Sequence, residues 1–185
     1  EEKQQDALAF LPGIFGRDIR KIIMNRSYRN TMEIAQYANR LTGIQDIELF
    51  DRHGAEVEEK CFENLNAALD MVIEKWEQKR ADYETEALIL FTEAEAEHAF
   101  LYLEDRLKSR DPDGEYELTY MNRDSQNFKK GLTVTTFYLA RGLEFDQVFG
   151  IFEEDRESGL QCQAKYITAT RALHELHMYM TDTSK

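Results

Sequence analysis

The sequence predicts a three-layer α/β domain, with a mainly parallel sheet covered by helices on both faces. Short β-type runs alternate along the chain with stretches whose apolar residues recur at 3.6-residue spacing, the pattern of amphipathic helices. Strands separated by helices favour parallel pairing, because parallel neighbours need long crossover connections. The 185 residues carry no internal repeat and no low-complexity linker, which fits one domain large enough to bury a core.

The elements follow in order. Lys21 to Met24 reads as a short strand. From Thr31 to Leu41 a helix places Ile34, Ala38 and Leu41 on one face and stops at Gly43. Ile47 to Phe50 reads as a strand, and Leu65, Leu69, Val72, Ile73 and Trp76 mark a long helix. Ala87 to Phe91 is a compact apolar strand. Thr92 and Glu95 then form a capping-box pattern that opens a helix with Ala96, Ala99, Phe100, Leu103 and Leu107 on its stripe. Asp111 to Gly114 is a turn, and Tyr116 to Met121, Leu132 to Thr136 and Gln147 to Ile151 supply strands. A helix around Gln163 to Leu173 and a strand from Leu176 to Thr181 close the chain.

Composition narrows the function. A net charge of -13 argues against a general nucleic-acid coat, so contact with nucleic acid calls for a local basic patch. Arg17, Arg20, Lys21, Arg26, Arg29 and Arg40 gather near the amino end. Acids dominate Glu56 to Glu63 and Glu84 to Glu97, runs that read as solvated helix faces. Cys61 and Cys162 have no metal-like spacing and form no disulfide framework, which suggests a reducing, cytoplasmic setting. No apolar run approaches the length of a membrane span, and there is no signal-peptide order at the amino end. The chain begins at Glu1, as expected of a fragment of a longer protein, and its first residues are polar enough for an arm.

Two segments carry the chemistry. In TTFYLARGLEFDQVF, Thr135 to Phe149, a β-type run leads to Arg141, Gly142 and Glu144 before a second apolar run. A glycine there lets backbone N–H groups approach a phosphate, and a carboxylate two residues on can accept a hydrogen bond from a ribose hydroxyl. In YITATRALHEL, Tyr166 to Leu176, Arg171 precedes a mostly apolar run, where a planar, permanently charged guanidinium at a sheet edge suits a phosphoryl group. Ligands of such sheets gather at the carboxyl ends of strands. Arg26 to Asn30, Phe137 to Glu144 and Glu153 to Arg156 all follow strand ends, so the first two segments are candidates for one cleft.

Three segments together resemble the carboxy-terminal motifs of superfamily 1 helicases of the UvrD/Rep/PcrA kind. SYRNTMEIAQYANRL, Ser27 to Leu41, resembles motif IV; TTFYLARGLEFD, Thr135 to Asp146, resembles motif V; and YITATRALHEL resembles motif VI. The resemblance covers nearly the whole chain. It implies a three-layer RecA-like (P-loop NTPase-like) fold, with residues 1–16 a linker or arm and 17–185 the second RecA-like motor domain of a longer protein. Residue by residue, it implies that Arg29 and Arg171 are catalytic arginines reaching the γ-phosphate. Gly142 and Glu144 join them in ATP binding, and Thr136 and Tyr138 contact single-stranded DNA. An arginine finger is worth roughly three to five powers of ten in phosphoryl-transfer rate. Arg171→Ala is therefore expected to cripple turnover while sparing folding.

The sequence departs from the family in places. Tyr138 replaces the usual histidine, Arg141 the usual lysine, and Ser27 a frequent asparagine; the charged residues that often precede motif VI are missing from Ser158 to Lys165. The large insertion usual between motifs IV and V is also absent. YLARGLEFD and TRALHEL look closer to compact helicase-D-like factors that bind and recycle RNA polymerase, which keeps that alternative open. The sequence has no G-x-x-x-x-G-K-[ST] string, hence no phosphate-cradling loop or Walker lysine. The resemblance therefore implies that ATP with Mg2+ is held mainly by an amino-terminal RecA-like partner domain, and that the isolated chain hydrolyses none. The implied partners are that domain, single-stranded or duplex DNA and, in the alternative, RNA polymerase, with no membrane.

Other candidates read as structure. Val148 to Phe152 followed by Glu153, Glu154 and Asp155 imitates a Walker B strand but reads as a solvated loop end. His174 and His177 are three apart without a third ligand in position, His53 and His98 are isolated, and Trp76 lies on an apolar stripe.

Overall fold

The structure, a computed structural model, describes residues 29–43, 51–110, 112, 116–124, 130–154 and 158–182, together with the backbone of Arg26–Ser27 and Glu48–Leu49. The 1–16 arm, the basic residues 17–21, the strand expected at Lys21 to Met24, most of the Asp111 to Gly114 turn, and Asp155 and Arg156 lie outside the described residues.

Among the described residues are eight strands and four helices. In chain order they are β1 (Arg26–Ser27), α1 (Met32–Thr42), β2 (Glu48–Leu49), β3 (Glu58–Phe62), α2 (Leu65–Lys79), β4 (Thr85–Leu90), α3 (Glu93–Arg110), β5 (Leu118–Tyr120), β6 (Gly131–Thr136), β7 (Phe145–Glu153), α4 (Gly159–Ala169) and β8 (Ala172–Thr181). Six of the strands form one sheet in the order β3-β8-β7-β4-β6-β5, with every neighbouring pair parallel. β1 and β2 make a separate parallel pair. This is the three-layer RecA-like α/β architecture that the sequence predicts.

Both faces of the sheet are covered, so its central strands are buried at nearly every position rather than at alternate ones. β6 is buried at every position and β4 at every position after Thr85. On one face α2 and α3 pack Leu69, Val72, Ile73, Leu103 and Leu107 against Leu88, Leu90, Val134, Phe149 and Ile151. On the other, α1 and α4 pack Ile34, Tyr37, Ala164 and Ala169 against Ala87, Ile89, Val148, Leu176 and Met178. A register shift between Phe145 and Gln147 sets the phase of β7, so Phe145 and Val148 share one face.

The caps explain where the helices begin and end. Thr31 accepts from Ile34 N at the start of α1, and Gly43 closes it in the left-handed conformation at φ 68°. The Thr92–Glu95 box forms as expected: Thr92 N donates to Glu95 Oε2 at 2.8 Å, and Glu95 N donates to Thr92 Oγ1 at 3.2 Å. Trp76 is buried in the core.

Three expectations are corrected. The acidic run Glu56 to Glu63 is not a helix face: it contains β3, an edge strand with alternating burial, because its pairing with β8 outweighs the weak strand preference of glutamate. In the second acidic run Glu86 is not solvated; it lies on β4, almost fully buried. The last helix starts and ends four residues before the expected bounds, and the final strand begins at Ala172, because β8 extends to pair with the start of β7. Arg171 therefore occupies the turn between helix and strand.

Candidate functional site

The segment 137–144 leaves the carboxyl end of β6 and returns to the amino end of β7. That path separates the expected site residues into two groups. Thr136 and Tyr138 lie at the carboxyl edge of the sheet. Gly142, Glu144 and Arg171 lie at the amino edge of β7 and β8, and Arg29 joins them there. The segments carrying Arg29 and Glu144 thus meet, but at the opposite edge from the one that strand-end reasoning suggests.

Backbone and side-chain bonds clamp the three motif segments together. Phe145 N donates to Arg171 O at 2.9 Å, and Asn30 Nδ2 donates to Ala172 O at 2.6 Å. Arg29 Nη1 lies 2.6 Å from Glu144 Oε1 in an exposed ion pair. Arg171 is half-buried; its Nη1 donates to Leu143 O at 3.0 Å, its Nη2 to Thr170 Oγ1 at 3.1 Å and its Nε to Ile167 O at 3.3 Å. Burial and the nearby Arg29 charge lower the pKa of Arg171, while Glu144 opposes the shift. Gly142 holds φ 85°, a conformation that L-residues rarely adopt, and a side chain there would meet open space. Its glycine is required by the turn, not by a crowded neighbour.

Arg52, His174 and Asp146 extend this edge; sequence reasoning gives none of them a site role, His174 being weighed only as half of a metal pair. Arg52 Nη1 donates to Arg29 O at 2.8 Å, and its Nη2 contacts His174 Nδ1 at 2.7 Å. His174 Nε2 lies 3.6 Å from Asp146 Oδ1. Asp146 Oδ2 accepts from Glu84 N, Thr85 N and Thr85 Oγ1 at 3.0–3.1 Å, tying the amino ends of β4 and β7. The segment carrying Arg52 is latched to α1: Met32 N donates to Arg52 O, and Glu33 binds His53 Nδ1 and Gly54 N. Burial opposes ionisation of Glu33, but those partners prevail and hold its pKa at about 2. The final aspartate of the GLEFD string was the available sequence signal; Arg52 lies outside all three motifs and gave none.

His177, three residues beyond His174, is buried in a charged network rather than at a metal site. Its Nδ1 meets Glu58 Oε2 at 2.7 Å and its Nε2 meets Glu175 Oε1 at 2.9 Å, with Phe149 stacked at 4.8 Å. Among the described residues no cluster of His, Cys, Asp or Glu could hold a metal ion.

At the carboxyl edge the Thr136 side chain is buried, and its Oγ1 has no hydrogen-bond partner among the described residues. Tyr138 is half-exposed. Its hydroxyl donates to Glu93 Oε1 at 2.5 Å, and the Arg123 guanidinium lies 5.5 Å from its ring centre while pairing with Glu93 at 2.8 Å. Arg123 is the basic group that sequence reasoning missed here.

No protein-family model matches the sequence, and no curated protein matches it significantly. Among solved structures the fold is similar to the C-terminal domain of a possible DNA helicase from Lactobacillus plantarum WCFS1. The TM-score is 0.65 at 24% identity, covering 84% of this chain and 88% of that one. The DUF1998 helicase MrfA, solved bound to DNA, matches at a TM-score of 0.46 and 11% identity, over 84% of this chain and 24% of that one. Among the described residues no helix is long and apolar enough to cross a membrane.

Proposed function

We propose that this chain is the carboxy-terminal motor domain of an ATP-dependent DNA helicase or translocase of the UvrD/Rep/PcrA kind. The observation that carries the reading is the meeting of Arg29, Gly142, Glu144 and Arg171 at one sheet edge, from three motif segments spread along the sequence. Two guanidiniums beside a carboxylate and an open glycine turn suit one wall of a triphosphate site. The rest, including Mg2+, belongs to an amino-terminal RecA-like domain, since this sequence has no P-loop string. When ATP with Mg2+ is bound, the reactive phosphoryl group comes from the nucleotide. Arg29 and Arg171 would bear on its charge, and Glu144 would orient the ribose.

The ion pair between Arg29 and Glu144 is exposed, and such pairs are worth only about 0–1 kcal/mol. A ribose hydroxyl at Glu144 therefore releases Arg29 toward phosphate at little cost. Tyr138 and Arg123 at the far edge supply a stacking surface and a cation for single-stranded DNA. Contact by the Thr136 side chain requires local opening, because that side chain is closed to solvent.

One observation favours the alternative, a helicase-D-like factor that recycles RNA polymerase. Apart from β2, the described residues between α1 and β6 build β3, β4 and β5 of the main sheet and the helices α2 and α3 that cover it, rather than a separate accessory unit. Retention of core RNA polymerase by the intact protein, without DNA unwinding, would decide for it.

The test of the main reading mixes this chain with its amino-terminal half and measures ATP turnover with and without single-stranded DNA. The expected result is DNA-stimulated turnover that collapses with Arg29→Ala. Turnover by the amino-terminal half alone, unchanged by adding this chain, overturns the proposal.

A further inference from the structure

Glu86 interrupts an otherwise apolar strand, TEALIL, at its second residue. It faces a cavity of about 310 Å³ at the amino ends of β4 and β6, beneath the last turn of α2, lined by Trp76, Arg80, Glu84, Glu86, Glu117 and Lys130. Glu86 is 1% exposed, and its Oε2 has no hydrogen-bond partner among the described residues. The indole Nε1 of Trp76, also buried, is close enough to favour the charged carboxylate but is not in hydrogen-bond geometry with it.

A buried carboxyl with an empty acceptor site is costly, and a donor entering the cavity recovers that cost. Neither basic residue of the wall reaches Glu86: Lys130 Nζ is 3.3 Å from Glu84 Oε2, and the Arg80 guanidinium lies over the Trp76 and Tyr116 rings. Glu117 has no ion pair among the described residues. The cavity therefore holds an excess of acids that wants a compact group with several N–H donors.

We infer that this cavity binds the ammonium head of a small organic amine, with Glu86 as the buried counter-ion and Glu117 at the mouth. Nothing in the proposed motor function uses this cavity, so the two readings stand or fall separately.

Burial, with the charges of Asp146 on β7 and Glu117 before β5, raises the Glu86 pKa to about 7, against the Trp76 contact from α2 that lowers it. Tyr83, Glu84 and Lys130 line the same cavity beside the strand starts, and Arg80 lines it from the end of α2. A carboxyl with its pKa raised to about 7 is charged above that pH. Amine binding therefore strengthens as pH rises through 7 and weakens about tenfold between pH 8 and pH 6.

Trp76 is the sole tryptophan of the chain, so its fluorescence reports this cavity directly. The experiment titrates the chain with n-propylammonium, using tetramethylammonium as an equal-charge control without N–H donors. A saturable change in emission with propylammonium alone, at least tenfold weaker in Glu86→Gln and at pH 6, is expected. An equal response to tetramethylammonium, a response unchanged in Glu86→Gln, or no saturation overturns the inference; the first of these reports only screening of the chain's negative charge. Should Glu86→Gln fail to fold, Glu117→Gln at the exposed mouth must weaken binding several-fold, and unchanged affinity in that variant also overturns it.

Discussion

At the carboxyl edge of the sheet β4, β7 and β8 end around a crevice of about 530 Å³ whose lining includes Glu63, Glu95, Glu153 and Asp182, whereas the amino edge of β7 and β8 gathers Arg29, Arg52 and Arg171. Open α/β sheets bind their own ligands at the carboxyl edge, where strand order switches. Here that crevice has the wrong sign for a phosphate. On the proposed reading the guanidiniums at the other edge would complete a site carried by another body, so that a domain whose sequence has no phosphate-cradling string could still serve a nucleotide. The comparison also assigns the DNA candidates: Tyr138 and Arg123 stand at the carboxyl edge, a sheet's length from the arginines.

The largest expected effect separates the two arginines. In the intact protein Arg29→Ala should lower ATP turnover by roughly three powers of ten or more, the range of an arginine finger, and leave the melting temperature of this domain nearly unchanged. Arg171→Ala should lower turnover as far but also cost about 1–2 kcal/mol of stability. Its guanidinium donates to Leu143 O and Thr170 Oγ1, so the variant, expected from sequence to spare folding, should still fold but with that loss of stability. Steady-state turnover with thermal unfolding checks both. Normal turnover in Arg29→Ala would remove the amino edge from the reaction.

Asp146→Ala should come next, at about 2–3 kcal/mol, because it strips the acceptor from two backbone N–H groups and the Thr85 hydroxyl at the start of β4. Hydrogen exchange should then rise at Glu84 and Thr85, while the amides around the Thr92 cap stay protected. Loosening of both edges together would mean that the sheet transmits the change and that the two regions are not independent.

Much of this division was open to inspection in the sequence, and what was hidden has a physical cause. Helices α1, α2 and α3 were legible because their apolar stripes and caps, such as Thr92 with Glu95, are local signals. The edge strand β3 was hidden, since EEKCF has no strand-like alternation of apolar residues and is held by pairing with a strand more than a hundred positions away. Glu86 was hidden for the same reason: burial of a carboxylate inside a strand is decided by neighbours that one-dimensional pattern does not name. The candidate site residues were singled out as motif positions. Which edge they occupy was not, because that depends on the return path of residues 137–144 across the sheet.

At the carboxyl edge, Tyr138→Ala should weaken single-stranded DNA binding about tenfold, in the range of one lost stacking contact, without altering DNA-independent turnover. Tyr138→Phe keeps the ring beside Arg123 and loses the hydroxyl's contacts with Glu93 and Arg123, so it should bind almost as the parent does if the ring is what DNA stacks on. Fluorescence anisotropy with a short oligonucleotide reads both. If phenylalanine is as damaging as alanine, the hydroxyl rather than the ring is the DNA contact.

The smallest effect concerns acid. Glu58 opens β3 at the amino edge. Burial disfavours its charge, but Lys60, His177, Lys75 and Tyr179 outweigh that and hold its pKa at about 2. A carboxyl whose pKa is lowered on folding contributes stability above its unfolded pKa, near 4.5, and that contribution fades as pH falls toward the folded value. Glu58→Gln should therefore cost about 1 kcal/mol at pH 7, with the difference from the parent shrinking by more than half by pH 3. Because among the described residues β3 is an edge strand paired with β8, its amides are the place to look, and their exchange should accelerate in acid before those of β4 or β6. A pH-independent difference would assign the role of Glu58 to shape rather than charge. The buried His177 would then be held chiefly by Glu175, Gln147 and the Phe149 ring.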